Sequence, residues 1–212
     1  MFEFMSAADY ERWSSATTLQ QVAQLTALWL EGSIDSQPGY MPESGPAEET
    51  TDGGLVPVLA RCNRAGWLTD CSQPGLSIAE GDQRAGVEGF TTPDLADVLA
   101  AAALDAGLVV HLHDGTGWSG RNEYTAVTRD EQGRIFTGLG RRRSRRELNF
   151  QYSEVSRSAR REIRAAQQLT IIDPEWGRKD LLWTTLETAL DEFDRTRAVL
   201  TSADTDERGG NR

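Results

Sequence analysis

Helical and strand periodicities alternate along this chain, and nearly every change of period is punctuated by Gly or Pro. Thr17 or Thr18 can cap a helix whose apolar positions Leu19, Val22, Ala23, Leu25, Trp29 and Leu30 recur near 3.6 residues, until Gly32 stops it. Leu55 to Arg64 reads as a short helix ended by Gly66, and Trp67 to Ser72 as a strand that stops at Pro74 and Gly75. Gln83 to Phe90 reads as a second strand, weakened by Gly86 and Gly89. Thr92 and Pro93 open a helix that continues from Leu95 to Ala106, and Leu108 to His113 is the strongest strand pattern. Glu123 to Arg129 and Arg134 to Leu139 suit a hairpin. A basic helix near 153–168, a short strand at Leu169 to Ile172 and an amphipathic helix from Lys179 to Val199 complete the series. Interspersed elements of this kind predict an α+β chain: a single domain over 18–200, with a mixed sheet flanked by helices. Residues 1–17 read as an N-terminal extension and 201–212 as a polar, unstructured tail. The stretch 33–54, rich in Pro and Gly and without period, is expected to be a long irregular connection of the kind that is functional or mobile.

Composition narrows the class. Hydrophobic residues make up 38% of the 212, enough for a packed core, yet no apolar run nears the roughly 20 residues of a membrane span. The opening Met1, Phe2, Glu3 carries acid where a secretory leader carries base, so a cytoplasmic location is expected. Two cysteines and two histidines are too few for a disulfide framework or a zinc site of soft ligands, and no metal is expected. Net charge is -11, unevenly placed: between Arg141 and Arg164 nine arginines stand against three glutamates, a local +6 that leaves -17 elsewhere. So acidic a body disfavours nucleic acid and anionic lipid, while the arginine run reads as a solvated surface or else as a site for a phosphate or an acidic partner.

Generic chemical motifs are sparse. Gly115 to Gly120 follows a strand, but no helix pattern succeeds it as a dinucleotide loop requires. His111 and His113 lie two apart on a strand and share a face. With Asp114 beside them they are candidates for acid/base work, and equally for ordinary hydrogen-bonded residues. Cys71 follows Asp70, an acid that raises a thiol pKa, so it is no candidate nucleophile.

The densest cluster of fixed turns and small hydroxyls is Asn63-Arg64-Ala65-Gly66-Trp67-Leu68-Thr69-Asp70-Cys71-Ser72-Gln73-Pro74. It resembles the Asn-Arg-x-Gly-x-Leu-Thr-x-x-Ser-Gln-Pro string in the C-terminal regulatory domain of eukaryotic methylenetetrahydrofolate reductase. The likeness continues in order. Ala47 to Thr50 is similar to that family's Ala-x-Glu-Thr, and Gln83 to Phe90 to its Gln-Lys-Ala-x-x-Glu-Phe-Phe. Thr170 to Pro174, with Trp183 beyond, resembles its Thr-Val-Val-Asp-Pro and tryptophan-bearing helix. Residues 18–195 are covered, with 114–168 poorly aligned.

The resemblance implies that family's regulatory-domain fold and a site for S-adenosylmethionine or S-adenosylhomocysteine. Carried over by motif, its contacts become Glu49, Thr50, Thr69, Ser72 and Thr170, with Thr137 as a sixth candidate. Hydroxyls and a carboxylate suit an amino-acid head group, ribose hydroxyls and a sulfonium. The family's catalytic barrel, roughly 250 residues, has no room here, so inhibition of a reductase in cis is not the expected role. Two functions follow from the resemblance. One is a nucleoside sensor acting on a protein partner. The other is a methyltransferase for a small-molecule acceptor, with His111, His113 or Tyr124 as general base. A domain that has lost its ligand is a third reading.

Overall fold

A computed structural model describes residues 5–39, 54–77, 82–115, 124–130 and 132–209, with side chains through Val199. The described elements are α1 (Ala7–Ser15), α2 (Leu19–Leu30), α3 (Val56–Ala65), β1 (Leu68–Pro74), β2 (Arg84–Thr91), α4 (Pro93–Asp105), β3 (Val109–Asp114), β4 (Thr125–Arg129), β5 (Ile135–Leu139), α5 (Arg145–Gln151), α6 (Arg157–Ala165), β6 (Gln167–Trp176) and α7 (Leu181–Gly209). The class is α+β, as the alternating periods require. Four strands form one sheet in the order β1-β2-β6-β3, and β4 and β5 form a separate hairpin. All the described ladders are antiparallel, which corrects the expected mixed sheet.

Several boundaries have visible causes. Thr18 caps α2 through a reciprocal capping box with Gln21. Gly66 ends α3 at φ +108°, a left-handed conformation that a Cβ would strain. Thr92 occupies the N-cap of α4, but its side chain makes no capping bond.

One face of the sheet carries Val87, Leu169 and Ile171, each fully buried with helical side chains such as Leu59, Leu99, Leu186 and Leu190 in a single core cluster. Three expectations need correction. The residues read as an N-terminal extension include α1, whose Trp13 is fully buried in that same cluster. The helix expected near 153–168 is the shorter α6, preceded by α5, which was not expected, and followed by β6 from Gln167. Helix α7 continues to Gly209, through most of the stretch read as an unstructured tail.

The opposite face is different. Glu88, Gln168 and Thr170 are buried there with Ile172, beneath the β4–β5 hairpin and the segment that leads from it into α5. Glycine has a specific use at this junction. Gly140 has φ +95°, and a Cβ on it would lie 2.5 Å from the His111 ring.

Candidate functional site

Strand β1 is an edge of the sheet and is irregular. Thr69 pairs with Gly89 and Cys71 with Glu88, so Asp70 is the extra residue of a bulge. Along this edge lies a cleft of about 170 Å³, lined by Thr69, Asp70, Cys71, Ser72 and Gln73 of β1 and by Trp29, Leu30 and Gln37. Asn63 at the end of α3 fixes one wall. Its amide nitrogen donates to the Thr69 hydroxyl at 2.7 Å and to Leu59 O at 2.8 Å, and its amide oxygen accepts from the Thr69 N–H at 3.2 Å. This clasp explains why asparagine stands six residues before threonine in the string. It leaves the hydroxyl proton and one lone pair of Thr69 for another partner.

Helix α1 holds the other wall. Trp13 Nε1 donates to Ser36 O at 2.9 Å, and buried Asp9 accepts from the Ser36 hydroxyl at 2.9 Å, which anchors the chain next to Gln37.

Asp70 joins the cleft to the polar face. Arg143 donates from Nη1 to its carboxylate at 2.7 Å and from Nη2 to Gln151 at 2.6 Å, and Nη1 also lies 3.7 Å from Glu88. Gln151 also donates to Asp70, and Tyr152 does so at 3.4 Å. Glu88 in turn accepts from Gly140 N at 2.9 Å and from the Thr170 hydroxyl at 3.0 Å. Gln168 clamps the same connection, accepting from Arg143 N and donating to Arg141 O, each at 2.8 Å.

Two buried carboxylates thus share one guanidinium. Burial drives the Glu88 pKa above its ordinary value; Asp70 adds to the rise, while the Gly140 amide, Arg143 and Thr170 oppose it. Burial works against the Arg143 charge, but Asp70 and Glu88 outweigh it and hold the guanidinium above its usual value. Nearby Glu147 is held down to about 2, chiefly by its hydrogen bond from Arg141.

The structure brings some of the expected site residues together and separates others. Thr69 and Ser72 share the cleft. Glu49 and Thr50 lie outside the described residues. Thr170 is fully buried on the far face, its hydroxyl committed to Glu88. Thr137 is half-buried on β5, paired with Thr128. His111 Nε2 is 2.8 Å from the Thr125 hydroxyl, and His113 donates from Nε2 to Gly140 O at 2.8 Å, so both histidines tie the hairpin and its exit to β3. Tyr124 is half exposed, with its ring against Gly138. None of His111, His113, Tyr124, Thr137 and Thr170 lines the β1 cleft. Cys62 is fully buried, and burial pushes its thiol up to about 12. Among the described residues no His, Cys, Asp and Glu side chains are grouped to hold a metal ion, and no helix is long and apolar enough to cross a membrane.

Sequence reasoning singled out neither Arg143 nor Glu88 as a site residue. The signal for Glu88 was present: a carboxylate in the middle of Ala85 to Phe90, otherwise an apolar and glycine strand, requires a buried partner.

The sequence family defined as a domain of unknown function, DUF6919, matches residues 8–193, and the chain belongs to it. The match takes in α1 and nearly all of the sheet and helices just described. No curated protein matches the chain.

Proposed function

We propose that this protein binds S-adenosylmethionine or S-adenosylhomocysteine along the β1 edge and passes the occupancy of that cleft to a partner. One observation carries the reading: Thr69 and Ser72, two hydroxyls assigned to the ligand by the resemblance to the reductase regulatory domain, lie on one cleft wall with Asp70 between them. A charged head group or sulfonium is the chemistry that hydroxyls, a carboxamide and a carboxylate suit. At about 170 Å³ the cleft is below the roughly 300–1,000 Å³ of a drug-sized site, so its described walls hold one end of the nucleoside.

Binding has more support than methyl transfer. The three base candidates stand away from the cleft, and both histidines are engaged in holding the hairpin. Asp70 supports the partner reading, because it lines the cleft and also holds Arg143, which precedes the α5 N-cap, and Gln151 at the end of α5.

Calorimetric titration with both nucleosides tests the reading. The wild type should bind, and Thr69→Val with Ser72→Ala should weaken binding by about 1–3 kcal/mol per lost polar contact. Unchanged affinity in a folded double variant, or no heat with either nucleoside, refutes it.

A further inference from the structure

The arginines of the 141–164 segment divide into two groups. Arg141, Arg142 and Arg143 are spent internally: on Glu147, on the backbone oxygens of Asp114 and Gly115, and on Asp70. The others are not. Helix α6 carries Arg157, Arg160, Arg161 and Arg164 at i, i+3, i+4 and i+7, a single stripe, while Ala159 and Ile163 face inward and are buried. Glu162, the one acid of that helix, accepts the Leu19 amide at 2.7 Å and lies off the stripe.

Helix α5 extends the stripe. Arg164 donates to Asn149 at 2.7 Å, and Arg145 sits one turn before Asn149. Arg164 is held below its usual pKa by burial and then by the charges of Arg145, Arg160 and Arg161, so these groups form one crowded patch. Among the described residues none of Arg145, Arg146, Arg157, Arg160 and Arg161 forms an ion pair. Like charges at this spacing destabilise a helix by about 0.2–0.5 kcal/mol per pair, so the fold gains nothing from the arrangement. Phe150, one turn after Arg146, is 85% exposed.

We infer that the α5–α6 face is a docking surface for an acidic segment of another protein, with the arginine stripe receiving carboxylates and Phe150 entering an apolar socket. Charge complementarity sets the sign of the partner. The stripe covers seven residue steps, about 10 Å of helix axis. A nucleic-acid strand that runs on past the stripe meets a chain whose remaining residues sum to -17, whereas a compact partner confines its acids to the footprint. Arginine with an exposed aromatic is also the composition enriched in protein–protein interfaces and their hot spots.

Fluorescence anisotropy of labelled poly-L-glutamate and of a labelled oligouridylate at low salt, each against wild type and the Arg157→Glu/Arg161→Glu variant, tests the inference. Circular dichroism checks that the variant folds. Poly-L-glutamate should bind the wild type, lose about tenfold or more in the variant and weaken as salt rises, and oligouridylate should bind more weakly. No binding of poly-L-glutamate, equal binding by the folded variant, or tighter binding of oligouridylate overturns the inference. So does sedimentation showing that the wild type alone self-associates through this face and the variant does not.

Discussion

The two faces of the central sheet solve the same burial problem by opposite means. On the helical face Leu169 and Ile171 meet Leu59, Leu99 and Leu186, and any set of side chains of the right shape satisfies the packing. On the other face Glu88, Thr170, Gln168, Arg143 and Asp70 are tied into a network of hydrogen bonds and ion pairs beneath the hairpin and its exit. The comparison teaches that the apolar face holds the fold together, while the polar face fixes where one segment, from Gly140 into α5, must lie.

The contrast is sharpest at Arg143. Arg143→Met removes the guanidinium that bridges Asp70 and Glu88, and should destabilise by about 3–5 kcal/mol in chemical denaturation. Adding Glu88→Gln should recover part of that loss, because one buried carboxylate no longer needs a cation; no recovery would mean the two acids are not coupled. Leu169→Ala should cost about 2–5 kcal/mol, while Leu169→Met, which conserves volume, should cost less than about 1.5 kcal/mol. An equal loss for both Leu169 variants would contradict the shape-only account of the helical face.

The smallest effect is a pH dependence. The folded-state pKa of Glu88 is raised, so across the window just above the ordinary carboxylate value the folded chain binds more protons than the unfolded one. Glu88 therefore subtracts stability as pH rises through that window. Glu147 works the other way: held down to about 2, it adds stability that is lost as pH falls below the ordinary value toward 2. Relative to wild type, Glu88→Gln should gain stability as pH rises through the window above the carboxylate value. A difference independent of pH would show that Glu88 is not ionised at a cost.

The helical face was legible in the sequence because local period reports it. Leu182, Leu186 and Leu190 recur on one side of α7, and Gly32, Gly66 and Gly107 mark the stops. Helix α1 was missed because Ala7 to Ser15 buries only Asp9 and Trp13, too little for a periodic signal, and its place depends on Ser36, far along the chain. Helix α5 was missed because it is seven residues long and buries only Leu148. The polar network was illegible for a related reason. Thr170 lies 82 residues from Glu88 and Arg143 lies 73 from Asp70, and no local pattern reports a pairing at that range. Within the candidate site, Thr69 to Gln73 of the string 63–75 line the β1 cleft, whereas Thr170, placed by motif, is buried on the opposite face with its hydroxyl on Glu88.

Soaking crystals with S-adenosylmethionine puts the central claim to its most direct test. The account predicts ligand density along the outer edge of β1, with the Thr69 and Ser72 hydroxyls within hydrogen-bonding distance of it. Density elsewhere in the molecule, or a cleft left filled by its own side chains at saturating ligand, would contradict it.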